Sequence, residues 1–286
     1  MKKILVTGAN GQLGQCLQKI SSQFEEFEFI FTDSETLDIT NKEEVNDFFW
    51  QNAPDFCINA AAYTAVDLAE TDIEKAFLVN ADGAENLAEA CAENNAQFIH
   101  VSTDYVFDGE NNLAYTEEDF TNPLGVYGAS KLAGDELALE VNPCSVILRT
   151  SWVYSEFGKN FVKTMLNLFA TKEELSIVAD QFGQPTNAND LAEAIMKIIK
   201  SEKITPGIFN FSNLGRISWF DFAEKIAELS EAKIKLNAIE TSQYPTPAKR
   251  PKNSVLDLDK ISKTYAIQLK PWEESIEDCV QILQNN

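Results

Sequence analysis

A chain of 286 residues that is 44% hydrophobic and 24% charged carries enough apolar material for one large core or two smaller ones, in the composition of a soluble globular protein. Its 45 acidic against 23 basic side chains leave a net charge of −22, which repels phosphate backbones and anionic lipid headgroups. Nucleic acid and membrane surfaces are therefore excluded as partners, whereas a local nest of donors still admits a small anion.

Cysteine and histidine usage narrows the chemistry further. The five Cys are scattered and form no Cys-x-x-Cys pair, the usage of thiols in a reducing compartment. With a single His, His100, zinc ligation and a Ser-His-Asp hydrolase lack residues to spare. His100 lies in the apolar run Phe98-Ile-His-Val101 and reads as a strand residue rather than a catalyst. No apolar run is long enough to span a bilayer. Lys2-Lys3 lead straight into a strand without a signal-peptide apolar region, so the expected location is the cytoplasm.

Lys3-Ile-Leu-Val-Thr-Gly8 reads as a buried parallel strand. Gly8-Ala-Asn-Gly11-Gln12-Leu13-Gly14 follows at once, and an amphipathic stretch to Ile20 follows that. Strand, glycine turn and helix form the context in which a backbone approaches a pyrophosphate seated on a helix N-terminus. The spacing is Gly-x2-Gly-x2-Gly, not the Gly-x-Gly-x2-Gly of ordinary dinucleotide folds, and a purely structural turn is the alternative. Phe27–Thr32 is the second strand, and Asp33 ends it 19 residues after Gly14. An acid there accepts ribose hydroxyls and repels a 2′-phosphate, which favours NADH over NADPH; a turn cap is the other reading. Leu37-Asp38-Ile39-Thr40 suggests a brief third strand and an adenine-side wall, with Thr40 or Asn41 capping the next helix.

Asp55–Asn59 is the next strand, running into the small residues Ala60-Ala-Ala62 and then Tyr63-Thr64, which let a flat cofactor lie against the backbone. A helix is expected from about Ile73 to Asn94, then the strand Gln97–Ser102 with Thr103-Asp104-Tyr105 at its C-terminal edge, where doubly wound sheets bind ligands. Tyr127-Gly-Ala-Ser-Lys131 is the centre of the chain. Residues four apart share one helix face, so the phenol and the ammonium can enter the same cleft. A neighbouring cation is expected to pull the phenol toward working pH, where general acid catalysis is effective. Among the seven Tyr only Tyr127 has Lys four places on, although an ordinary amphipathic face could carry such a pair.

Ser145–Arg149 is the last strand of this alternation, which predicts an α/β fold: a doubly wound parallel sheet of Rossmann type. From Thr150 the pattern loosens. Helices are expected near 157–170, 189–200, 218–230 and 271–283, with short strands near 175–178 and 207–211. We divide the chain into a dinucleotide-binding domain, residues 1–150, and a smaller, partly interleaved C-terminal substrate lobe, residues 151–286, with segments that return to the sheet. Asn160 and the basic trio Lys249, Arg250 and Lys252 are candidate contacts for a nucleotide diphosphate; solvated surface is the alternative.

The glycine turn Gly8–Gly14, Asn59-Ala-Ala-Ala62, Thr103 and Tyr127-x3-Lys131 together resemble the extended short-chain dehydrogenases/reductases. The stretches Pro54–Glu70, Ser102–Gly109, Arg149–Tyr154, Asp180–Thr186 and Arg250–Ser254 resemble, more narrowly, the dTDP-4-dehydrorhamnose reductase branch of that family. The resemblance runs the full length of the chain. It implies reduction of the C4 ketone of a dTDP-linked 6-deoxyhexose by NADH or NADPH, the last step of dTDP-L-rhamnose synthesis. It implies Tyr127 as proton donor, Lys131 as its partner and a ribose ligand, and Thr103 as the orienter of the ketone. Asp104 and Trp152 would touch the sugar. Gly8, Gly11, Gln12, Leu13, Gly14, Asp33, Asp38, Ile39, Ala62, Tyr63 and Thr64 would contact the cofactor. Some members form metal-linked homodimers through glutamates, one on the first helix. Here that helix begins Gln15-Cys16, so a homodimer is expected without a bridging metal. Two alternatives stay open. A nucleotide-sugar dehydratase or epimerase would use the same scaffold, but the second carboxylate after Thr103 that a dehydratase uses is replaced here by Tyr105. A non-catalytic regulatory subunit, like that of methionine adenosyltransferase, would keep the Tyr-Lys pair.

Overall fold

The computed structural model describes residues 1–285. Five strands in chain order, β1 (Lys2–Thr7), β2 (Phe27–Phe31), β3 (Phe56–Asn59), β4 (Gln97–Thr103) and β5 (Val146–Thr150), join the strand Gly207–Asn210 in one sheet. From one edge to the other the order is β2, β1, β3, β4, β5 and Gly207–Asn210, and each pairing is parallel. Both faces are covered, so the strands read as continuous apolar runs, with alternate residues serving opposite layers. On β1, Ile4 and Val6 enter one core with Leu17 and Ile195, and Leu5 enters the other with Phe49 and Leu87. The chain order reverses between β1 and β3, the switch point at which such sheets bind ligands.

The helices before β5 are α1 (Gln12–Ser21), α2 (Lys42–Asn52), α3 (Val66–Ala69), α4 (Ile73–Phe77), α5 (Gly83–Glu93) and α6 (Val126–Val141). Asn41 caps α2, its side chain accepting from the backbone of Glu43 and Glu44.

Two local expectations fail, each for a hydrogen-bonding reason. There is no strand around Leu37; residues 34–36 and 39–40 are turns. Leu37 and Ile39 mimic the alternation of a strand, but neighbouring carboxylates capture the amides that a strand would need. Asp33 Oδ1 accepts from the backbone of Glu35 and Thr36, and Asp38 Oδ1 from that of Thr40. The helix expected from Ile73 to Asn94 is interrupted by a π turn, Leu78–Asp82. That turn aims Asn80 into the protein: Oδ1 accepts from the Tyr63 amide, and Nδ2 donates to the Tyr63 carbonyl and to Ser130 Oγ. One buried amide thus ties the loop after β3 to α6.

Beyond β5 come α7 (Phe161–Phe169), α8 (Ala188–Ile199), α9 (Trp219–Leu229), α10 (Asp259–Tyr265) and α11 (Trp272–Gln284). Expectation missed α10; the other four fall within a few residues of their predicted places. α8 packs on the main sheet, adding Leu191, Ile195 and Ile198 to the core of β1 and α1. α7, α9 and α11 enclose a separate core that includes Val162, Phe222 and Ile276, against the parallel pair Glu174–Val178 and Lys235–Ile239. The C-terminal part therefore forms a second lobe and also contributes α8 and Gly207–Asn210 to the main sheet.

Candidate active site

The C-terminal ends of β1, β3 and β4 open into a trough in two parts. One part, about 440 Å³, is lined by Gly8, Gly11, Asp33, Asp38, Ile39 and Ala62. The other, about 670 Å³, is lined by Gln12, Leu13, Thr64, Thr103, Asp104, Tyr127, Lys131 and Trp152. Gly11, Ala60 and Ala62 border both.

The first part is built of backbone. Gly8 has φ +67°, and a Cβ there would lie 2.6 Å from the Ala61 nitrogen. A Cβ on Gly14 would lie 2.4 Å from the Gly8 oxygen, so the turn closes onto the start of α1 only with glycine. No side chain caps α1, and its first turn holds no acid. Its free amides and positive end therefore face the trough, which fits a dinucleotide's pyrophosphate. Asp33 borders the opposite end. One of its oxygens holds the turn at Glu35 and Thr36, and the other accepts from Asn10 Nδ2 at 2.6 Å. The turn-cap reading of this acid is thus realised by one oxygen, and the other is held by Asn10. Tyr63, expected at the cofactor, lines neither part: its hydroxyl turns away to Asp72 at 3.2 Å, and Asn80 holds both its amide and its carbonyl.

The second part is built of side chains. Tyr127 and Lys131 sit on α6, one turn apart, and Thr103 ends β4 opposite them. Burial pushes the Tyr127 phenol up to about 12, while the Thr103 hydroxyl pulls it the other way. Burial also pushes Lys131 down to about 8, against the opposing effect of Asp135. This corrects the expectation that the ammonium acidifies the phenol. In the ligand-free cleft desolvation outweighs pairing and moves both groups toward their neutral forms. A phenol that keeps its proton is a donor, which suits the reducing direction. The Thr103 hydroxyl donates to Asp104 Oδ1 at 3.0 Å, and burial raises that carboxyl to about 6.

Trp152 adopts φ +46°, an unusual conformation for a bulky residue, and its indole stacks on Trp219 with ring centroids 3.5 Å apart. Trp219 also lines the cleft and was not foreseen. It stands 67 positions beyond Trp152, and nothing local in the sequence joins them. Asp135 was missed as well, although it was readable: residues 127, 131 and 135 form one i, i+4, i+8 stripe.

Two expected diphosphate contacts have other partners. Asn160 caps α7 through the Lys163 amide and donates to Gln12 Oε1 at 2.8 Å. Gln12 in turn donates to the Val153 carbonyl, bracing the glycine turn against the second lobe. Arg250 grips Asp67 with both terminal nitrogens, at 3.0 and 2.8 Å, and Lys249 and Lys252 are exposed. A bidentate guanidinium–carboxylate pair is strong enough to hold Arg250 off the cleft floor.

A parallel sheet with its ligand trough at the switch point, and a helix bringing phenol and amine to that trough, defines an NAD(P)-dependent oxidoreductase of the extended short-chain dehydrogenase/reductase class. Comparison with known proteins narrows the class. The family model described as the RmlD substrate binding domain matches residues 1–285. A dTDP-4-dehydrorhamnose reductase of Aggregatibacter actinomycetemcomitans is 44% identical, over 97% of this chain and 98% of the relative. Among solved structures, a dTDP-4-dehydrorhamnose reductase from Clostridium acetobutylicum superposes with a TM-score of 0.94 at 43% identity, covering 99% of each chain. One from Bacillus anthracis, solved in complex with NADP, gives 0.95 at 39% identity, covering 99% of this chain and 100% of the other. The chain belongs to the dTDP-4-dehydrorhamnose reductase family.

Proposed function

We propose that this protein reduces the C4 ketone of dTDP-4-dehydro-L-rhamnose to the alcohol of dTDP-L-rhamnose. The observation that carries the reading is the meeting of Tyr127, Lys131 and Thr103 in one cleft, beside a glycine turn that leaves a helix N-terminus open. The bound nicotinamide cofactor supplies the hydride. Tyr127 donates its proton to the ketone oxygen as negative charge develops there. Thr103 aligns that oxygen, once its hydroxyl turns from Asp104. Lys131 holds a ribose hydroxyl of the cofactor, and Asp104, Trp152 and Trp219 border the deoxysugar. Residues 1–150 hold the dinucleotide, and the lobe from 151 onward closes over the sugar.

Asp33 supports NADH as the preferred cofactor, because a carboxylate at the ribose repels a 2′-phosphate. A homodimer is the expected assembly, on family resemblance alone, and light scattering reads it directly. No helix among the described residues is long and apolar enough to cross a membrane. The test is to supply purified protein with the 4-keto sugar nucleotide and either reduced cofactor, follow the reduced-nicotinamide absorbance, and identify the product by NMR. Cofactor binding without turnover would overturn the reading in favour of a regulatory subunit. Release of a dehydrated or epimerised sugar would overturn it in favour of another enzyme.

A further inference from the structure

The lone histidine is buried directly beneath Lys131. His100 Nε2 lies 3.1 Å from Lys131 Nζ, and His100 Nδ1 lies 3.0 Å from Asn59 Nδ2. Hydrogen-bond polarity along this chain of contacts is determined at its far end. The Ala61 backbone N–H, which can only donate, points at Asn59 Oδ1 at 3.1 Å, and the Thr7 hydroxyl donates to the same oxygen at 2.8 Å. The Asn59 amide therefore cannot be flipped, and its NH₂ faces His100. His100 Nδ1 must then accept, and the one ring proton sits on Nε2. The ring is neutral on the same geometry, since an imidazolium would set an Nδ1–H against the Asn59 NH₂, and burial likewise pushes His100 well below its ordinary value. The Nε2–H points at Lys131 Nζ, and an ammonium has no lone pair to receive it.

We propose that His100 is a positioning residue for Lys131, which biases it toward the neutral amine in the ligand-free protein by directing Nε2–H at Nζ. The amine's remaining valences fit: one N–H goes to the Val101 carbonyl at 2.7 Å, and the other is left for the cleft. The surrounding charges agree. On α6, Asp135 Oδ1 is buried without a hydrogen-bond partner 3.9 Å from Nε2, which favours a proton on that nitrogen. From β5, Arg149 Nε pairs with the other Asp135 oxygen at 3.3 Å, so this buried carboxylate already has its cation. The other titratable groups facing the cleft are Tyr127, Tyr105, Asp104 and Lys159, and among the described residues no carboxylate oxygen lies within ion-pair distance of Nζ. Charging Lys131 requires His100 to move its proton to Nδ1, which sets two donors against each other at Asn59. The ammonium is thus opposed until a ligand or a phenolate favours it.

The catalytic arm of the test rests on the reductase reading; the spectroscopic arm does not. Nitrogen NMR of isotope-labelled histidine in the ligand-free, full-length protein contains a single imidazole. The expected spectrum has Nε2 protonated and Nδ1 unprotonated across neutral pH; an Nδ1–H tautomer or an imidazolium would overturn the proposal. In the second arm, His100→Gln places a carbonyl oxygen near the Nε2 position, where it accepts from an ammonium. The pH limb of kcat that reports Lys131 should then move upward by about one unit. Loss of activity at an unchanged limb would leave His100 a purely structural residue and sink the idea.

Discussion

The two halves of the trough are made of different material. Around Gly8–Gly14 the surface is main chain, shaped by what side chains are missing and by an uncapped helix end. Around Tyr127 it is side chain, assembled from β4, α6, α9 and the loop at Trp152, with buried titratable groups and a strained backbone. Backbone walls are shaped by local turn geometry and tolerate little added volume. Side-chain walls depend on distant packing and are sensitive to truncation and to pH.

The largest effect is expected from adding one methyl group to the backbone half. Gly8→Ala forces a left-handed alanine and a Cβ into the Ala60–Ala61 main chain, which should cost about 1–3 kcal/mol of stability. Dinucleotide affinity by calorimetry should fall at least about a hundredfold, and normal affinity would show that the turn is not the anion site. Tyr127→Phe, on the side-chain half, should lower kcat by about 10²–10⁴-fold with the melting temperature and cofactor affinity unchanged. Near-normal turnover would remove Tyr127 as the proton donor.

Trp219→Ala removes the stacking partner of Trp152 and should raise KM for the sugar nucleotide by about tenfold, since an aromatic stack is worth about 0.5–1.5 kcal/mol beyond the area it buries. Cofactor affinity should not change; if it does, the two halves are not separable. Asp33→Ala should move the NADPH/NADH ratio of kcat/KM upward by about tenfold, the amount expected for removing one repulsive charge of about 1–1.5 kcal/mol. An unmoved ratio would leave Asp33 a turn cap only.

The effect with least bearing on turnover concerns stability. Asp104 is raised from 3.8 to about 6 in the fold, so the folded state favours its protonated form. The sign follows from linkage: no penalty below the unfolded value, a growing one as pH rises between the two values, and the full penalty above about 6. Asp104→Asn should therefore gain up to about 2–3 kcal/mol against wild type near neutral pH, less the lost bond from Thr103, and that gain should shrink on acidification. Thermal melts across this range decide it, and a difference independent of pH would show that Asp104 is not held in a raised state.

What could be read along the chain is what depends on neighbours in the chain. Strand, glycine turn and helix at residues 3–20, the small residues after Asn59 and the one-turn spacing of Tyr127 and Lys131 all express short-range geometry. The same local logic failed at Leu37, where two carboxylates outcompeted the ladder for backbone amides, and at Asn80, where a π turn bent an otherwise good helix. His100 was correctly placed on a strand; its contact with Lys131 was invisible because it joins β4 to α6.

By itself, then, the order of residues determined the parallel sheet, the switch-point trough and the pairing of Tyr127 with Lys131 on one helix face, because periodicity and turn stereochemistry act within a few positions. Only the tertiary structure decided which charges survive in the cleft, that Arg250 is held by Asp67, that Trp219 completes the wall, and which way the proton of His100 points. Those outcomes come from desolvation and hydrogen-bond partners brought together from distant segments. Their energies depend on what surrounds each group, not on what precedes it in the chain.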